Sequence, residues 1–215
     1  MLAALAPSRF RTIEGEDTKS RLAATGERLL GEAGFGVALH EIAHAAGQGN
    51  KYAVQYHFGG KDGLIAAIAE RREAMMVERR ADMIAAARAE GTLGDLKTLV
   101  DIIYRPIAEQ VDEQGRHSFA RFWFQFQARP NAGGLAKHPF RARHPQFLDL
   151  LEMLGTVLGT ERDQVGQKLQ LLSWVVFAAL VDRDDQAEAK SRRRSLDAVL
   201  ERPLAMVESA LRGTA

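Results

Sequence analysis

A chain of 215 residues with 46% hydrophobic and 27% charged residues and a net charge of +1 can bury a core, which excludes a disordered or strongly polyionic protein. It has no cysteine, so disulfides, thiolate metal centres and cysteine nucleophiles are excluded, and a reducing compartment fits. The apolar opening Met1–Ala6 breaks at Pro7 without a basic residue ahead of it, too short for a signal sequence or a bilayer span; a cytoplasmic chain with no membrane partner is expected, with residues 1–17 as a loose arm.

From Asp17 onward almost every segment has helical period, and no alternating β-branched run between turn signals argues for a strand, so the expected class is all-α. The first helix begins at Asp17 or Thr18, whose oxygens cap free amides, and ends at Gly34; Leu22, Leu29, Leu30 and Ala33 form its apolar face. Two short helices follow, from Ala38 to Ala46 and from Asn50 to Phe58, with Gly47 between them. Two short amphipathic helices about a glycine-containing turn are the unit that presents its second helix to the DNA major groove.

Lys61 to Ala89 contains no proline and reads as one connecting helix of roughly 40 Å at ~1.5 Å per residue. Further helices are expected at Leu93–Gln110, Ser118–Ala128, Pro145–Leu158, Glu161–Val181 and Ser195–Leu211, the last interrupted by Pro203. Pro130 to Pro139 reads as a loop, and the charged stretch Asp182 to Arg194 as a solvated linker. The expected division is therefore a helix-turn-helix head over 18–60 and a helical body over 61–215.

Gly34-Phe35, Glu41-Ile42-Ala43, Ala46-Gly47 and Tyr56-His57-Phe58-Gly59, followed by Lys61 and Leu64, resemble the DNA-binding head of the TetR family of transcriptional regulators. The resemblance covers about residues 18 to 72, and Ala38 stands where that family commonly has a Ser or Thr cap. It implies an all-helical homodimer that binds a palindromic operator in duplex DNA, responds to a small-molecule effector and needs no cofactor or metal. Independently, Val54 and Phe58 stand four apart and bury on one face, leaving Asn50, Lys51, Gln55 and His57 on the others. Asn and Gln bond bidentately to adenine and Lys reaches guanine or phosphate. Gln48, Asn50, Lys51, Tyr52 and Gln55 are thus the candidate readers, and by the resemblance Tyr56, His57 and Lys61 grip phosphates. Charge adds little, because nine Lys and Arg balance nine Asp and Glu through Glu73.

A rival motif overlaps this head. His40-Glu41-Ile42-Ala43-His44 fits H-E-x-x-H, in which two histidines one turn apart bind zinc and the Glu is a general base, the pattern of a zinc metallopeptidase. Asn50 occupies the place of a third histidine, and no strand is expected nearby to orient a substrate. The simpler reading leaves His40 and His44 facing solvent, with no catalytic residues in the chain.

In the body, Leu169, Leu172 and Val176 form one apolar stripe, and Leu196, Val199, Leu200, Leu204 and Val207 form another; by themselves they read as core, and the resemblance implies that these two helices also pair with their symmetry mates in a dimer interface. The run Phe119 to Phe126 is too aromatic for one helical stripe. Phe122, Trp123 and Phe126, with Tyr104, Trp174 and Phe177, are expected to wall an apolar pocket in which Arg121 or His117 is the polar contact, favouring a hydrophobic or planar effector. Effector binding would then move the Lys61–Ala89 helix and change the separation of two heads.

Overall fold

The computed structural model describes residues 18–129, 145–190 and 194–213, and these are helical with no strand among them. The elements are α1 (Thr18–Ala33), α2 (Leu39–Ala45), α3 (Ala53–Phe58), α4 (Lys61–Ala89), α5 (Leu96–Ala108), α6 (Ser118–Gln127), α7 (Pro145–Leu158), α8 (Arg162–Lys190) and α9 (Leu196–Arg212). The all-α expectation therefore holds. The N-terminal arm and the 130–139 loop lie outside the described residues.

Helices α1, α2 and α3 close around Leu22, Leu30, Ile42, Ala43 and Val54, and the N-terminal turns of α4 complete this small core with Leu64 and Ile65. One contiguous apolar cluster runs from Leu22 through Ile68 and Met76 of α4 to Ile103, Phe122 and Val176 of the body. The extensive contact of α1 is with α6. Gly31 permits it: a Cβ there would stand 2.9 Å from the Phe122 backbone nitrogen, closer than any ordinary contact.

Polar groups buried between these helices reinforce the joint. Arg72 of α4, 4% exposed, donates from Nε to Glu27 Oε2 at 2.7 Å and from Nη2 to Glu27 Oε1 at 2.5 Å. Its Nη1 donates to Gln110 Oε1 at 3.1 Å, and Nη2 also donates to Ser118 Oγ at 3.1 Å. Ser118 Oγ donates on to Glu27 Oε1 at 2.6 Å, and Gln110 Nε2 to the Arg72 carbonyl at 3.2 Å. Bidentate pairing with further hydrogen bonds is the condition under which a buried ion pair offsets its desolvation. The network ties α1, α4, the approach to α6, and α6 itself.

Three expectations are corrected. The 182–194 stretch is not a loop up to Arg194, because α8 continues to Lys190. Asp184 lies on its inner face, 2% exposed, and accepts from the His117 backbone N–H at 2.6 Å, while its Oδ1 is 2.9 Å from His117 Nδ1. Gln186 Nε2 donates to Asp182 at 2.7 Å one turn away, so the charges that looked like linker are the wet face of a helix whose other side is anchored. Pro203 does not interrupt α9; it is buried inside a continuous helix, where packing compensates for the missing N–H. Helix α3 begins at Ala53 rather than Asn50.

The aromatic run packs as core. Phe122 is fully buried, Phe119, Trp123, Phe126 and Phe177 nearly so, with ring centroids 5.1 Å apart for Trp123 and Phe126 and 6.4 Å for Trp123 and Phe177. Tyr104 is buried and donates to the Leu169 carbonyl at 3.1 Å. Burial pushes its phenol well above the usual tyrosine range.

Two outcomes follow. Glu27→Gln leaves the Arg72 charge uncompensated in the core and lowers unfolding free energy by about 3 to 5 kcal/mol in urea titrations. Tyr104 stays neutral in the folded chain but ionises when unfolded above about pH 10, so its stabilisation is complete below that pH and is lost as pH rises. Between pH 10 and 11, stability should fall more steeply in the parent than in Tyr104→Phe, by up to about 1.4 kcal/mol per pH unit; equal slopes in the two proteins would contradict this.

Candidate nucleic-acid interface

The α2–turn–α3 segment is built from the inside out. Ile42 and Ala43 on α2, and Ala53 and Val54 on α3, are the buried positions, 0 to 4% exposed, and they fix which sides of both short helices face outward. The turn between them needs a residue at φ 71°, and Gly47 supplies it without the clash a side chain would meet. Ala38 has no oxygen to cap α2. Glu41 does the work from the other end, its Oε2 accepting the Ala38 N–H at 2.7 Å.

The entry to α3 is shaped by a side chain the sequence assigns to base reading. Asn50 Oδ1 accepts the Tyr52 N–H at 2.9 Å, an Asx turn that delays the helix to Ala53. Asn50 and Lys51 therefore sit on the turn preceding the helix. The Lys51 ammonium lies 5.0 Å over the Tyr52 ring.

On the outer side, Lys51, Tyr52, Gln55 and Tyr56 are exposed; Tyr52 is 63% and Tyr56 81% exposed. Tyr52 at the N-cap of α3 and Tyr56 on the helix itself thus carry two aromatic rings far into solvent. Gln48, His57 and Lys61 are half-buried, and the His57 ring sits edge-on to Tyr56 at 5.0 Å. The structure thus brings Gln48, Asn50, Lys51, Tyr52, Gln55 and Tyr56 into one short outward-facing segment.

Lys61 is the exception. Its Nζ donates to the Phe35 carbonyl at 2.7 Å and to the Val37 carbonyl at 2.8 Å, so it closes the α1–α2 loop onto the start of α4 with two of its three N–H groups. Its main task is positional, and only one N–H remains for a phosphate. Nothing in the local sequence announces this, because the acceptors are backbone atoms 24 and 26 residues away.

The His and Glu residues of H-E-x-x-H lie on the outer side of α2. His40 and His44 are exposed, the Glu41 carboxylate is engaged as a cap, and among the described residues no group of three metal-ligating side chains stands together. His138 and His144 lie outside the described residues.

Of the residues expected to line an effector pocket, Arg121 and Trp174 keep part of their surface in solvent, while Tyr104, His117, Phe122, Trp123, Phe126 and Phe177 are buried. Arg121 forms an ion pair with Asp185, and the Trp174 ring stands edge-on to Phe124 at 4.7 Å. His117 occupies the N-cap position of α6 at 2% exposure, with Nε2 3.1 Å from the Ala108 carbonyl. Both polar candidates thus meet protein groups.

The expected dimer stripes are likewise redistributed. Leu169, Val176, Val199, Leu200 and Val207 are 0 to 6% exposed within the single chain, where α8 packs on α9, and therefore have no surface left to bury against a partner. Leu172, Leu196 and Leu204 are half-buried. The apolar side chains standing out from these two helices are Leu171, 71% exposed, and Met206, 57% exposed.

No protein-family model matches the chain, and no curated protein matches it.

Replacing Lys61 with Met keeps its length but removes two charge-assisted hydrogen bonds. Lys61→Met is expected to cost about 1.5 to 3 kcal/mol of stability in thermal or urea unfolding. A variant as stable as the parent would show that the loop closes without the ammonium.

Proposed function

We propose that this chain is a sequence-specific DNA-binding transcriptional regulator of the TetR type, a homodimeric repressor released from a palindromic operator by a small apolar or aromatic effector. The observation that carries this reading is the wet side of α3 and its preceding turn. Lys51, Tyr52, Gln55 and Tyr56 stand in solvent, propped from behind by the fully buried Val54. Those side chains offer an amide for adenine, an ammonium for guanine or phosphate, and phenols for phosphates or a thymine methyl. A head without net positive charge depends on such contacts more than on a general field.

One such segment reads only a few base pairs, so two copies at successive major grooves are required. Helix α8 supports an assembly: a stretch of 18 residues within Arg162–Ala187 has a mean hydropathy of 1.2, yet only 39% of that stretch is buried in the chain. Leu171 and Met206 extend the uncovered apolar surface across α8 and α9. A second copy of the same two helices is the occupant that the DNA reading requires.

The proposed route of release differs from a simple swing of α4. Because Glu27, Arg72, Gln110 and Ser118 bind α1, α4 and α6 together, an effector that displaces α6 moves α1 and hence the head. The effector shifts this equilibrium only by its differential affinity for the two arrangements.

The test is retention of duplex DNA selected from a random pool. Binding should weaken steeply with salt, as counterion release requires. Lys51→Ala and Gln55→Ala should each lose about 1 to 3 kcal/mol against the selected sequence if the contact is to a base, with relaxed preference at one position. Selection of no sequence, or unchanged affinity and preference in both variants, would overturn the reading.

A further inference from the structure

We infer that His40 and His44 form a binding site for a divalent first-row transition ion, nickel or zinc, on the same surface that the proposed function assigns to DNA. The two histidines stand one helical turn apart on α2, and both are exposed. That spacing puts both rings on one face, within reach of a common ion. They also line one depression of about 330 Å³, together with Glu41, Gln48, Gly49 and Lys51. Both residues therefore border one shared space between α2 and the approach to α3.

The neighbouring groups define what kind of site this is. Glu41 spends Oε2 on the Ala38 N–H, and Gln48 Nε2 donates to the Ala46 carbonyl at 3.4 Å, leaving the Gln48 amide oxygen as an acceptor. Among the described residues no third histidine or carboxylate completes a closed cage. Two imidazoles suit nickel, copper or zinc and not magnesium or calcium, which take oxygen ligands. An ion held by two imidazoles keeps coordination positions open to water or an external anion.

The location gives the open positions a use. Gln48, Gly49 and Lys51 share this edge of the α2–α3 turn, and the Lys51 ammonium lies over Tyr52 on the α3 side. If DNA lies against α3, as the proposed function has it, a phosphate reaching Lys51 also reaches the depression. The bound ion then supplies the positive charge that the balanced head lacks and takes a phosphate oxygen into its coordination shell. This second step rests on the DNA reading; the metal site does not.

The experiment uses the full chain, free of any affinity tag and stripped of metal, titrated with nickel alone by calorimetry and then placed with duplex DNA. One ion per chain is expected at the histidine pair. His40→Ala and His44→Ala should each weaken it roughly tenfold or more, since losing even an outer partner of a ligand costs that much. Both substitutions are at the surface, and circular dichroism should show parent-like helix. Magnesium should give no such signal. Nickel binding that is absent, or unchanged in both variants, would overturn the site. In the DNA arm, nickel should tighten retention in the parent and not in the double variant; tight binding that ignores nickel would overturn the phosphate contact. No retention of any duplex, with histidine-dependent nickel uptake intact, would sink the DNA reading while the metal site stands.

Discussion

Arg72 is the point from which the arrangement of the molecule is best understood. Its guanidinium lies at the crossing of α1, α4 and α6, and it is bonded to Glu27, Gln110 and Ser118 with almost no solvent contact. A cation in that position is tolerable only while every partner stays in place, because removing one leaves an uncompensated charge in a medium of low dielectric. Helical surfaces that apolar contact alone could slide past one another are thereby held in one register. The Phe119 ring, 5.7 Å from the same guanidinium, covers one of its faces.

This junction changes how the small N-terminal unit relates to the rest. A head joined to a body only through a long helix would move as a pendulum. Here α1 is also pressed against α6 at Gly31, so the outward-facing α3 is referred to the body through two contacts, α4 and α1. Lys61 adds a third restraint by tying the α1–α2 loop to the first turn of α4. The exposed side chains of α3 consequently sit on a support restrained at three places, which the proposed base-edge contacts require, since hydrogen bonds of that kind tolerate little displacement.

Much of the fold and part of the candidate site were legible in the residues. Period-3.6 patterning located the helices, and Gly34, Gly47 and Gly159 marked turns whose φ angles are indeed positive. The pairing of buried Val54 with exposed Lys51 and Gln55 was also readable, because it depends only on spacing. What misled was composition taken without partners. The Asp182–Lys190 stretch looked like a solvated linker because its charges are visible and its buried contact, His117, is 67 residues away in sequence. The aromatic run from Phe119 shows its excess of rings locally, but the helices that bury it cannot be known from that segment.

The sequence by itself determined the class of structure, the order of the helices and the outward chemistry of the α2–α3 unit, since these follow from local propensity and periodicity. Only the tertiary structure decided which polar residues are structural. Glu27, Arg72, Ser118, His117 and Asp184 carry no local signal that they are buried, and Lys61 carries none that its ammonium closes a loop. The reason is physical: periodicity reports which face a side chain occupies, whereas a charge is stabilised in a core by particular groups that the chain brings back from far along its length.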